Sequence, residues 1–157
     1  MLIQNYGLFW REDRVDWGAG SRRGKLLGYW NGGKWCEVDF REQSGIYVLY
    51  DSSYKIIYIG QAGHKNSRLF NRLKQHRKDH LAERWSIFSW FGTRPVDGSE
   101  KKGWFLGDED FSTDLSSVLN HIEGILIAAC EPPLNKQGGR FGDAERYLQR
   151  KPIQEEE

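Results

Sequence analysis

Two runs of β-branched and aromatic residues, split by a short polar break, set the tightest limit on how this chain can fold. Ile46–Tyr50 and Lys55–Ile59 suit strands, and Asp51-Ser52-Ser53-Tyr54 between them has turn chemistry, so residues 45–60 read as a β-hairpin. Pairing Tyr50 with Lys55 sets Tyr47 opposite Tyr58, with Cβ atoms about 4.5–5.5 Å apart on one face. The same register sets Ile46 against Ile59 and Val48 against Ile57 on the other face, which is expected to meet the core. Two adjacent phenols can exchange hydrogen bonds, and a phenol of lowered pKa can take a proton. Such a pair can equally do no more than stabilise the sheet.

The next segment adds charge. Ser67 is a candidate N-cap, and Leu69, Phe70, Leu73 and Leu81 form a partial apolar stripe, predicting a helix over 67–81. Its polar side carries Arg68, Arg72, Lys74, Arg77 and Lys78. Arg72 and His76 share a face at i, i+4. A guanidinium beside an imidazole suits a phosphate oxygen, since Arg grips it with a planar fork of donors and neutral His accepts a proton. Further on, Thr113 or Asp114 can cap a helix that runs to about Cys130 and stops at Pro132-Pro133. Glu123 stands within its apolar run, where a carboxylate needs a positive partner: an arginine or a hard divalent cation. Asn135 follows in the loop.

In this order the residues resemble the GIY-YIG nuclease family over roughly residues 44–142. The resemblance rests on Gly45-Ile46-Tyr47, Tyr58-Ile59-Gly60, Arg72 with His76, Glu123 and Asn135. It implies a small α/β (α+β) core, a three-stranded antiparallel sheet flanked by helices. The hairpin supplies two strands, and the aromatic run Trp85–Phe91 reads as the third. It also implies a metal-dependent endonuclease acting on DNA. Glu123 would be the sole protein ligand to Mg2+ (or Mn2+), an ion that commonly keeps several waters. Arg72 would hold the phosphate, Tyr47 or His76 would accept the proton, Tyr58 would help to position the water, and Asn135 would brace the site. Lys65, Arg68, Lys74, Arg77 and Lys78 would line the path of the nucleic acid. Cutting both strands needs a homodimer or two visits. A retired site would leave a nucleic-acid-binding or assembly module instead.

The chain departs from the family pattern after the second motif, where Gln61 stands in place of a common Lys, with Lys65 as a substitute. Residues 62–66 form an extra loop, and residues 92–112, with four glycines and Pro95, read as a long mobile loop. Residues 1–43 lie outside the family core as an aromatic-rich, β-rich extension. There Asn31-Gly32-Gly33 is a hairpin turn between Leu26–Trp30 and Lys34–Phe40. Its tryptophans can stack bases while Arg22, Arg23 and Lys25 grip phosphates. The slightly favoured alternative is that they cover the sheet, since seven Lys or Arg barely outnumber six acids there. Residues 143–157 read as a helical, charged tail.

The net charge of +1 over 157 residues hides a segregation. Residues 64–94 carry eight Lys or Arg against two acids, whereas residues 95–157 carry seven against thirteen. The basic block coincides with Arg72 and would steer a polyanion to it. Cys36 and Cys130 lack metal-site spacing and read as buried thiols of a reducing cytoplasm, with no disulfide-linked partner. No apolar run is long enough to cross a membrane, and no signal peptide is evident.

Overall fold

Asp51 closes the hairpin and fixes its register. Its carboxylate accepts the Ser53 and Lys55 N–H groups at 2.8 and 3.0 Å, and its own N–H donates to the Lys55 carbonyl at 2.9 Å. The turn therefore takes in Lys55, and the strands are β6 (Gly45–Tyr50) and β7 (Ile56–Ala62). Tyr50 pairs with Ile56 and Leu49 with Tyr58, which leaves Ile57 as the extra residue of a β-bulge. Tyr47 consequently lies opposite Gly60, not Tyr58. The two phenols are diagonal neighbours on one face. That face is buried at Tyr47, and the face of Val48 meets the core too, although Ile59 at its edge is 60% exposed.

The structure is a computed structural model and describes residues 2–30, 36–63, 67–109, 115–131 and 141–151. Before the hairpin come β1 (Asn5–Arg11), β2 (Asp16–Ala19), β3 (Arg22–Lys25), β4 (Leu27–Trp30) and β5 (Glu37–Asp39). After it come α1 (Leu69–His76), β8 (Ile87–Gly92), β9 (Val96–Ser99), β10 (Gly103–Leu106), α2 (Leu115–Cys130) and β11 (Glu145–Gln149). Seven strands form one sheet in the order β5-β4-β11-β1-β8-β6-β7. Only the β1–β11 pair is parallel, so the sheet is mixed.

This overturns the expected three-stranded sheet flanked by helices. The strands read from sequence, β6, β7 and β8, are one edge of a sheet more than twice as wide. The added strands come from segments assigned to an extension and a tail. Residues 145–149, expected in a helical tail, form β11 between β1 and β4. Residues 96–106, expected within a mobile loop, form the β9–β10 hairpin. The hairpin expected around residues 31–33 does form, as β4 paired with β5, though its turn lies outside the described residues.

One helix covers each face. Tyr47, Leu49, Phe88 and Trp90 point to one side and pack with Trp10, Phe40, Leu69, Phe70 and Leu73, so α1 covers that face. Val48, Tyr50, Ile87 and Phe91 point to the other and pack with Ile3, Ile125, Ala129 and Phe141, so α2 covers it. The helix α1 is shorter than the expected 67–81 and has no side-chain cap from Ser67. Its first N–H groups are taken instead by the Gln43 and Arg41 carbonyls, at 2.9 and 3.1 Å from Leu69 and Phe70. The β2–β3 hairpin leans on the same helix. Trp17 packs on Phe70, with ring centroids 5.5 Å apart, and carries the Arg77 guanidinium 4.5 Å above its ring. Trp10 is buried in the core, so these two tryptophans build the fold rather than wait for bases.

On the α2 side the buried His121 accepts the Ile3 N–H on Nδ1 at 2.9 Å. Burial lowers its pKa below the ordinary value, so the folded state holds the ring neutral. An unfolded His titrates near 6.5. Below that pH the unfolded chain binds a proton that the folded chain resists. Stability is therefore full above about pH 6.5 and falls as pH drops towards the lower, folded pKa. Urea unfolding at pH 7.5 and 5.5 should give a lower midpoint at pH 5.5, and His121→Gln should flatten that difference.

Candidate active site on the α1 face

The site begins with space left by a glycine. A Cβ on Gly60 would sit 2.3 Å from both Cζ and Oη of Tyr47, so only glycine lets the phenol lie flat across β7. The ring then reaches α1, where the Tyr47 hydroxyl and His76 Nε2 are 2.7 Å apart. His76 is itself buried, and its Nδ1 lies 2.8 Å from Asp79 Oδ2. Burial alone would raise the Asp79 pKa, but the Leu81 N–H and His76 outweigh it and hold the pKa below the ordinary value. An ionised Asp79 can only accept, so Nδ1 carries a proton, and in the uncharged tautomer that this selects Nε2 is the acceptor. The Tyr47 hydroxyl must then be the donor. Three groups, Asp79, His76 and Tyr47, form one directed chain.

Its parts are held from outside. The Leu81 N–H donates to Asp79 Oδ1 at 2.8 Å, and Trp85 Nε1 donates to the His76 carbonyl at 3.1 Å. Tyr58 stands at the open side, its ring 4.8 Å from His76 and 6.2 Å from Tyr47 between centroids. The half-buried Arg72 guanidinium bears on both phenols. Its Nη1 donates to Gln75 Oε1 at 3.1 Å, while its buried Nε–H has no partner among the described residues. A buried donor left unmatched costs about 1–3 kcal/mol, which an anion drawn against the guanidinium would offset. Burial pushes the Tyr47 pKa up to about 12, with Arg72 pulling the other way. Tyr47 is therefore a hydroxyl at neutral pH and no base on its own. His76 has to take its proton for it to act as one.

The structure thus brings together Tyr47, Tyr58, Arg72 and His76. Asn135 and Lys65 lie outside the described residues, as does the Glu123 side chain. Residue 123 belongs to α2, which uses His121, Ile125 and Ala129 against the sheet face opposite the phenols. Of the basic residues expected along the nucleic acid, two are engaged within the protein. Arg68 pairs with Glu109 at 3.3 Å, and Arg77 pairs with Glu12 at 2.8 Å besides covering Trp17. Lys78 is exposed, and Lys74 lies over Phe70 at 5.8 Å. Asp79 was missed. Its spacing of three from His76, beyond the end of a helix, was the available signal, but it counted only as one acid in a basic block. Among the described residues both cysteines are free; Cys36 is buried as expected, whereas Cys130 is exposed. No helix among them is long and apolar enough to cross a membrane. The chain matches no family model, no curated protein and no solved structure.

Proposed function

We propose that the protein is a nuclease that hydrolyses phosphodiester bonds in DNA on the α1 face of the sheet. The observation that carries this reading is the Asp79–His76–Tyr47 chain ending beside a guanidinium with an unmatched donor. Arg72 grips a non-bridging oxygen of the scissile phosphate and neutralises the charge that grows in the transition state. A water between Tyr47 and Tyr58 attacks phosphorus and gives a proton to the Tyr47 oxygen, while the P–O3′ bond breaks and the leaving 3′ oxygen takes a proton from solvent. The phenol passes its own proton to His76 Nε2, and Asp79 stabilises the imidazolium. The basic block around α1 supplies the long-range attraction for the polyanion.

The family resemblance brings a divalent cation with it, through Glu123. The Glu123 side chain is not among those described, and its helix packs on the sheet face opposite the phenols. The steps above therefore rest on the phenol face alone. The unmatched Arg72 donor serves a second reading equally, a module that binds nucleic acid on this face and does not cut.

A plasmid-nicking assay with magnesium separates the two. Wild type is expected to nick supercoiled DNA and Arg72→Ala to fail while keeping its circular dichroism spectrum. Wild type that retards DNA but fails to cut it with any divalent cation would leave the binding module. A Glu123→Ala variant as inactive as Arg72→Ala would bring the α2 carboxylate into the reaction after all. Asp79→Asn offers a subtler check. Its amide would donate to Nδ1 and turn His76 over to the tautomer that cannot accept from Tyr47. Cleavage should fall roughly 10- to 100-fold with KM unchanged, as when other histidine-orienting partners are removed.

A further inference from the structure

A cavity of about 360 Å³ opens on the far half of the sheet, lined by residues of β1, β4, β9, β10 and β11 and their flanks. It is large enough for a side-chain-sized ligand. Its strands begin at β1, and β11 stands three places from β6 in the sheet, so the cavity lies roughly 14 Å from the phenols at ordinary strand spacing. The walls are aromatic: Trp30, Trp104 and Tyr147. Glu100, Asp143 and Glu145 supply three carboxylates, and no Lys or Arg is among the described lining residues. All three acids are exposed.

Two details mark a site rather than a gap in packing. Trp30 Nε1 donates to Glu145, which fixes the indole plane at the wall. Tyr147 is 4% exposed and packs on Phe40, with ring centroids 4.7 Å apart, so its ring is equally fixed.

From these features we infer that the cavity binds an organic cation, a methylated or quaternary ammonium group. Indole and phenol faces attract such a cation through their quadrupoles, and its methyl groups fill apolar space that a hydrated ammonium would leave. The carboxylates add long-range attraction and repel phosphate. The cavity thus selects a cation where the α1 face selects an anion, and it stands whether or not that face cuts DNA.

The test is a titration of the full chain, followed by tryptophan fluorescence and calorimetry. The probes are choline, N-acetyl-trimethyllysine amide, unmethylated N-acetyl-lysine amide and the neutral choline isostere 3,3-dimethylbutan-1-ol. Saturable binding of a quaternary ammonium is expected, with the neutral isostere about tenfold weaker. Glu100→Gln should weaken binding without moving the unfolding midpoint, and Trp104→Ala should weaken it further while also trimming a side chain packed on the core. Should Trp104→Ala fail to fold, Trp104→Phe keeps a ring on the core and, with its weaker quadrupole, should still lower affinity. Tighter trimethyllysine points to a modified protein segment as the natural ligand, and tighter choline to a small metabolite. Equal binding of the neutral isostere, or no saturable binding of either ammonium, overturns the inference.

Discussion

Replacing Tyr47 with Phe is expected to lower DNA cleavage by about 10²- to 10⁴-fold, the usual worth of a positioned proton-transfer group. The phenyl ring still fits across Gly60, so the sheet and α1 keep their packing. What goes is one oxygen that both receives the proton of the attacking water and passes its own to His76, 2.7 Å away. Because Tyr47 has its pKa pushed up to about 12, no phenolate population is lost; the defect is in the relay. The same change strips His76 Nε2 of its buried partner, at a cost to stability of about 1–3 kcal/mol. Cleavage and urea unfolding measured on one preparation distinguish the two effects. A variant that loses stability but cuts at the wild-type rate would remove Tyr47 from the chemistry.

Gly60→Ala is expected to damage the same site from the other strand. The new methyl would meet Tyr47 Cζ and Oη at 2.3 Å and Cε2 at 2.8 Å. The far side of the phenol is filled by α1, where Leu73 is fully buried, so the ring cannot simply retreat. Overpacking of this kind costs about 1–3 kcal/mol, and whichever way the ring moves it lengthens the bond to His76. Cleavage should fall about as far as in Tyr47→Phe, although Gly60 has no chemistry of its own. Ile59→Ala next door is the control. Its side chain is 60% exposed on the other face, so stability should change by less than about 0.5 kcal/mol and activity hardly at all.

How far the sequence could be read depended on regularity. The hairpin, both helices and β8 alternate or repeat clearly, and their existence was legible. The register was not, because Asp51 draws Lys55 into the turn and a bulge at Ile57 absorbs the difference. β1 hides for a similar reason. It shifts register between Gly7 and Trp10, with Phe9 at a φ of 53°, so its alternation breaks halfway. β11 hides by composition: Glu145, Arg146 and Gln149 surround one buried tyrosine, which reads as a charged tail until its neighbours are known. In the site, the residues of the two tripeptides and the Arg72–His76 spacing were visible. Asp79 was not, since its role comes from the chain turning back after His76 rather than from any helical period.

The parallel pairing of β1 with β11 has a consequence for assembly during translation. Strands β4 and β5 leave the ribosome early, yet among the described residues β4 joins the rest of the sheet through β11 and the neighbouring Arg150. Until that late segment arrives, the sheet exists as two fragments with two unpaired edges facing one another across a gap. Such edges invite pairing with foreign strands. The nascent protein therefore passes through a vulnerable interval that ends only when β11 slots into the middle.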